Sequence, residues 1–359
     1  MNNLVWYALG AILVYAVLSG IENTVQTRRR RRERNAVCPG APTLLVVMYS
    51  RFDNYAAAAT LRGMAVAALC PQRIRVAVVQ AVKDTSIDVF DLYEEAGGGF
   101  ENADTIRVLT VRDNETLSTL AAYDMAIDTL YRDETFVLFT TPGTVFARHF
   151  DTVLTAQMDG RNKKNALVNH GPKFLQARRI QPPSSKSMRH YYSTTFPTDP
   201  PAPDATLWYP TFHTTPDKAT LPSVVPAAGP LTTKKTMVQS LAASTVCTLV
   251  RAPVPVLDIV GGDGADGDSF LLSAALHAHG YTFSAVPTTV CFERSTTRKP
   301  VKESTPDAPP TVYMHFAGID PANYALYGRA RLGLVTLASE EIRAKFGSDV
   351  AFQRQKNSL

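Results

Sequence analysis

FVLFTTPGTVFARHFD, residues 136–151, is the stretch on which the fold turns. Phe136-Val137-Leu138-Phe139 is apolar at every position, the pattern of a strand buried on both faces of a sheet. Thr140-Thr141-Pro142-Gly143 follows, and Pro and Gly side by side read as a turn. Between Phe136 and Phe150 there is no Asp or Glu. In open α/β sheets ligands bind at the carboxyl ends of the strands. This strand end offers hydroxyls and a glycine where a carboxylate would be useful.

Working outward, Thr43-Leu44-Leu45-Val46-Val47-Met48-Tyr49 is another continuous apolar strand. Residues 54–70 are Ala-rich and read as a helix stopped by Pro71. RIRVAVVQAV (73–82) and DTIRVLTV (104–111) are two further strands, and residues 114–131 have helical periodicity with a start signal at Asn114. Strands alternating with helices predict an α/β fold, a mostly parallel sheet flanked by helices. Residues 176–235 change character. They are rich in Pro, Ser and Thr, with Tyr191, Tyr192, Trp208 and Tyr209 interleaved, and predict a long connection packed on the core. The loop GGDGADGD (261–268) invites a calcium reading through Asp263, Asp266 and Asp268. A calcium-binding loop of that type needs a Glu where this chain has Ala274, so the acidic loop is read as feeding the N-terminus of a helix at Asp268-Ser269. Residues 303–359 read as a linker followed by a terminal helix over 327–347.

The N-terminal segment speaks of a membrane. Leu4 to Ile21 is 18 residues without a charge. At about 1.5 Å per residue a helix of that length covers roughly 27 Å, close to one hydrocarbon core. No Lys or Arg precedes it, which disfavours a cleaved signal peptide, and Arg28, Arg29, Arg30, Arg31, Arg32 and Arg34 follow it. The expectation is a tail at 1–3, an anchor at 4–21 and an Arg-rich juxtamembrane linker at 22–42, in a single-pass membrane protein whose bulk faces the cytoplasm. The arginines would meet anionic headgroups. Nucleic-acid binding is the rival use of such a run. With Glu33 among them, residues 28–34 contribute +5, equal to the net charge of the whole 359-residue chain, so the rest of the chain is close to neutral and carries no basic face by composition.

Cys38, Cys70, Cys247 and Cys291 include no C-x-x-C pair, which argues against a zinc knuckle or a redox motif. The expectation is mostly reduced, buried thiols.

Several stretches together resemble the GlcNAc-type glycosyltransferase family of GT-A fold, which includes the cytoplasmic transferase acting on Skp1. LLVVMYSRFD looks like the family's opening strand, with Asp53 on its acidic position. AALCPQRIRVAVVQ is similar to its A-x-x-P-x-R-I…Q segment, ending at Gln80. LYRDETFVLFTTPGTVFARHFDTVL looks like the central strand and following W-D segment, with Phe150-Asp151 for Trp-Asp. GDSFLLSAALHAHGYTFSAVP looks like the G-E-E…T-H-G-Y segment, and YGRARLGLVTL like the closing helix. The resemblance covers roughly residues 44–350 and implies a GT-A-like domain over 43–302.

The departures from the family pattern cluster at the chemistry. Its D-x-H metal and diphosphate motif falls on Thr141 and Gly143. Its acidic pair keeps one carboxylate, in Gly267-Asp268-Ser269. An Arg on the same helix becomes Ala275, the nucleotide-contacting Ala-Arg pair becomes Tyr123-Asp124, and the late metal-ligand His falls near Glu293. A hydroxyl and a glycine are poor ligands for a divalent cation. Removing such groups costs several kcal/mol of transition-state stabilisation, and each ~1.4 kcal/mol is a decade in rate.

Two readings follow. In the first, the chain is a catalytically degenerate transferase-like domain with a structural or tethering role beside other structural proteins. Its setting would be an organelle membrane, or a virion in which it links an internal membrane to the capsid. It would need no cofactor. In the second, it is an active transferase using a UDP-sugar, with or without Mn. Asp268 would then be the general base or a metal ligand, with Asp263 or Asp266 assisting, and Asp53, Gln80, Thr141 and Gly143 would line the donor cleft. Asp268 and Asp53 could instead serve as helix or turn caps. His277 and His279 stand two apart on a helix and point to different sides. His149 reads as a packing residue.

Overall fold

A computed structural model describes residues 38–51, 53–82, 88–100, 105–112, 117–158, 161–174, 201–203, 208–213, 223–228, 238–240, 242–255, 257 and 268–294. The expected anchor, the Arg run, Asp263, Asp266 and the segment 303–359 lie outside the described residues. No described helix is long and apolar enough to cross a membrane. The chain divides into two compact units, 1–41 and 42–359. The described part of the first is a single 3-10 turn, Cys38–Gly40.

In the second unit the strands are β1 (Leu44–Arg51), β2 (Ile74–Val82), β3 (Ile106–Arg112), β4 (Phe136–Thr140), β5 (Thr144–Phe146), β6 (Asn165–Val168), β7 (Gly171–Phe174), β8 (Trp208–His213), β9 (Ser223–Ala228), β10 (Val238–Ser240), β11 (Thr248–Arg251), β12 (Thr282–Ala285) and β13 (Cys291–Arg294). The helices are α1 (Asn54–Ala67), α2 (Val89–Glu95), α3 (Thr119–Leu130), α4 (Phe150–Met158) and α5 (Asp268–Ala278). Among the described residues, eight strands form one sheet in the order β10-β12-β6-β11-β4-β1-β2-β3. β5-β13-β7 form a second sheet, and β8 pairs with β9.

The expected α/β architecture is present, and its parallel half is the half read from sequence. β1 runs parallel to β2 and β4, and β2 to β3, with Val46 opposite Val76 and Leu138. The other half is mixed, because β11 is antiparallel to both β4 and β6. The unbroken apolar run of β1 makes sense in this position. Leu45, Val47 and Tyr49 enter the core beneath α3 and α5, whereas Leu44, Val46 and Met48 enter the core beneath α1, α2 and α4. A strand covered on both faces has no solvent side to make polar, and each Leu or Val so buried contributes about 1.5–3 kcal/mol.

Three helix boundaries differ from the sequence reading, each for a local reason. α1 ends at Ala67 instead of reaching Cys70. Leu69 N–H and Cys70 N–H donate to the two oxygens of Asp151, at 2.9 and 2.8 Å, and so are lost to the helix ladder. α3 starts at Thr119, capped by Ser118 Oγ accepting from Ala121 N–H, so the start signal is Ser118 and not Asn114. α2 was not anticipated. Asp88 caps it by accepting from Phe90 N–H, and seven residues are too few to show a clear period.

The expectation of mostly reduced thiols is corrected for half of them: Cys38 and Cys70 are each disulfide-bonded. Cys247 and Cys291 are free and buried.

Candidate functional site

The sheet order decides what meets what. The carboxyl ends of β1, β2, β3 and β4 share one edge. β11 runs antiparallel beside β4, so its first residue, Thr248, lies opposite Phe139 and also opposite Val168 at the end of β6. β12 brings Ala285 opposite Val168. One edge therefore gathers Asp53, the turn at 140–143, the loop at 242–247 and the Asn169-His170 link between β6 and β7. This is where an α/β sheet holds ligands.

Most of the residues predicted for a donor cleft already have partners within the protein. Asp53 caps α1, its Oδ1 accepting from Ala56 N–H at 3.1 Å. Asn54 Oδ1 accepts from Ser50 Oγ at 2.7 Å. Gln80 is 1% exposed. Its amide donates to Asp88 and to Thr110 Oγ1, and its Oε1 accepts from Val89 N–H. Gln80 thus ties β2 to β3 and to the start of α2. Gly143, at φ 89°, takes the left-handed conformation that closes the turn, and its N–H donates to Thr60 Oγ1 on α1 at 2.9 Å. Thr144 N–H and Thr144 Oγ1 both donate to Thr141 O. The turn is thus a closed structural element, without an array of N–H groups facing outward for a diphosphate.

Asp268 opens α5, where the helix dipole favours a carboxylate, and it accepts from Thr119 Oγ1 of α3. Tyr123 is fully buried below and donates to Thr140 O at 3.2 Å. Burial, with the Asp268 charge adding to it, pushes its phenol far above the ordinary tyrosine range. Asp124, at the position the resemblance gives to a nucleotide-contacting Arg, accepts from Leu257 N–H at 2.8 and 2.9 Å.

Sequence reasoning missed His170. It is 3% exposed and sits in the two-residue link Asn169-His170 between β6 and β7. Its Nδ1 shares a hydrogen bond with Ser244 Oγ at 3.0 Å. Its Nε2 is buried without a hydrogen-bond partner and lies 3.7 Å from Glu293 Oε2. Glu293 pairs across the ladder with Thr144, so this His–Glu couple adjoins the turn that carries Thr141 and Gly143. The available signal was a histidine just after a short apolar strand, but its partners come from positions 74 and 123 residues further on. The Ser244 hydroxyl is not poised as a nucleophile. It is fully buried and accepts from Val246 N–H as well.

The turn residues do not fit a divalent cation. Thr141 and Gly143 bring no charged oxygen or imidazole. Among the described residues no group of three or more His, Cys, Asp and Glu side chains is placed to hold a metal ion. Among the described residues, the charged and imidazole groups at this edge are the helix-terminal carboxylates Asp53 and Asp268 and the His170–Glu293 couple.

No protein-family model and no curated protein sequence matches the chain. Solved structures with a similar course of chain include the crystal structure of GalNAc-T7 with UDP, GalNAc and Mn2+ (14% identity, TM-score 0.49, 84% of this chain and 50% of that one). They also include S. aureus TarS 1-349 (11%, 0.40, 70% and 60%). A third is the mannosyltransferase PcManGT from Pyrobaculum calidifontis in complex with GDP-Man and Mn2+ (13%, 0.38, 77% and 65%). This chain spans between 50% and 65% of the length of those three.

Proposed function

We propose that the chain is a membrane-anchored domain of the GlcNAc-type GT-A glycosyltransferase kind whose metal and diphosphate site has been dismantled, and that it serves as a structural tether. The observation that carries this reading is the turn at 140–143. The position the resemblance assigns to metal ligands holds Thr141 and Gly143, and the hydrogen-bonding groups there are directed inward, to Thr60 and within the turn itself. The Leu4–Ile21 anchor and the six arginines supply the bilayer contact, and other structural proteins supply the second attachment. Nucleic acid is not required as a partner.

The setting follows from two conditions. The Arg flank favours the cytoplasmic side for the bulk of the chain, by the positive-inside rule. The disulfide form of Cys70 favours an oxidising environment. A particle that assembles in the cytoplasm around an internal membrane and is then released satisfies both, which favours a link between virion membrane and capsid.

Calorimetry of the detergent-solubilised full-length chain with UDP-GlcNAc, with and without Mn2+, tests the reading. The expected result is no heat of binding at millimolar ligand. Micromolar, metal-dependent binding would overturn it. The second reading, an active transferase with Asp268 as base, is favoured by the presence of that carboxylate at the ligand-binding edge. It requires UDP-sugar turnover that Asp268→Ala abolishes.

A further inference from the structure

Cys247 and Cys291 are not used by the site, yet they are placed with precision. Cys291 Sγ lies 2.7 Å from Cys247 Sγ. That is about 0.7 Å beyond the ~2.05 Å length of a disulfide bond. Both side chains are fully buried. One residue fixes the backbone on each side of the pair: Asn169 N–H donates to Cys247 O at 3.1 Å, and Asn169 Oδ1 accepts from Cys291 N–H at 3.0 Å. The same Oδ1 accepts from Val290 N–H, and the Asn169 amide donates to Thr288 O, so its side chain cannot swing away without leaving buried groups unpaired. Cys247 immediately precedes β11 of the eight-stranded sheet, and Cys291 opens β13 of the three-stranded sheet.

We propose that Cys247 and Cys291 are the site of a structural disulfide that staples the three-stranded sheet to the eight-stranded one, formed while the chain folds in the presence of a disulfide oxidant. The reaction is thiol–disulfide exchange with a small-molecule disulfide, oxidised glutathione being the representative. One cysteine gives up its proton, and its thiolate attacks a glutathione sulfur. The glutathione S–S bond breaks and one glutathione thiolate leaves. The second cysteine thiolate then attacks the mixed disulfide, forming the Cys247–Cys291 bond and releasing the second glutathione thiolate. The two protons end on the two glutathione thiols, and two electrons pass from the cysteines to the oxidant.

The timing follows from burial. In the finished fold no oxidant reaches either sulfur, and burial together with the Cys247 contact holds the Cys291 thiol well above its usual range, which suppresses the reactive thiolate. Exchange therefore precedes the docking of β13 against the loop that leads into β11. The closed loop spans 44 positions and contains α5 and β12.

The test refolds the full-length chain in detergent with a reduced and oxidised glutathione couple, denatures it without reductant, alkylates free thiols and digests it with trypsin. Cleavage after Arg251 separates the two cysteines. The expected product is the 236–251 peptide covalently joined to the 252–294 peptide, with neither cysteine alkylated. Alkylation of both, or a bond from either to Cys70, overturns the proposal. A second measurement does not depend on digestion: reductant should lower the melting midpoint of the wild-type chain by several degrees more than that of Cys247→Ala. Equal shifts overturn the proposal.

Discussion

Asp151→Ala is the substitution whose cost can be worked most directly from the structure. The carboxylate is 5% exposed, and its two oxygens accept from Leu69 N–H at 2.9 Å and from Cys70 N–H at 2.8 Å. Those two groups sit where α1 has ended and the chain turns toward β2. Leu69 and Cys70 are themselves buried, so no water replaces the lost acceptor. A hydrogen bond to a charged group contributes about 1.5–3 kcal/mol, and an orphaned buried donor costs about 1–3 kcal/mol. The two bonds fail together, which puts the loss at roughly 3–5 kcal/mol. At about 2–4 °C per kcal/mol for a domain of this size class, the melting midpoint should fall by on the order of 10 °C. Asp151→Asn keeps one acceptor oxygen and turns a donor toward the other N–H, so its loss should fall between wild type and Asp151→Ala. The assay is urea denaturation of the full-length chain in detergent, followed by far-UV circular dichroism. A loss below about 1 kcal/mol for Asp151→Ala would refute the idea that this carboxylate sets the end of α1.

Two further outcomes can be checked. Gly171→Ala places a methyl group 2.6 Å from Thr289 Cγ2 and 2.7 Å from Cys291 O. A backbone oxygen cannot step aside cheaply, so the pairing of β7 with β13 should loosen at a cost of about 1–3 kcal/mol, and an unchanged denaturation midpoint would contradict the packing described. Burial pushes the Tyr93 phenol up to about 12, and Tyr123 higher still. A tyrosine whose folded value lies above the unfolded one adds stability that is complete below about pH 10 and is lost as pH rises from there through about 12. Absorbance at 295 nm should show Tyr93 ionising only near pH 12 and Tyr123 only with unfolding, and reversible titration of all tyrosines near pH 10 in the native state would contradict it.

The site itself was legible in part. The absence of acids from 140–143 is a property of the sequence, and the structure adds that the turn's polar groups are directed inward. The carboxylates were harder to read, because an Asp announces its charge and not its partner. Asp53 and Asp88 cap helices two or three residues away, a role visible from local spacing. Asp124 and Asp151 bind backbone groups 133 and 81–82 positions distant, which no local pattern encodes.

The sequence by itself determined the two-faced burial of the central strands. Their runs of Val, Leu and Ile leave no polar face, and that pattern admits only a sheet covered on both sides. It also carried local capping residues such as Asp53, Asp88 and Ser118, since capping is a contact between near neighbours, although which Asp, Asn or Ser serves as a cap was settled by the fold. The tertiary structure alone decided that β11 would enter antiparallel beside β4. That single choice carries the 242–247 loop to the carboxyl edge, sets Ser244 against His170, and places Cys247 beside Cys291. These contacts join residues 44 to 115 positions apart. Their formation depends on the closure of long loops, whose entropic cost is offset by core packing as a whole and not by any motif in the chain.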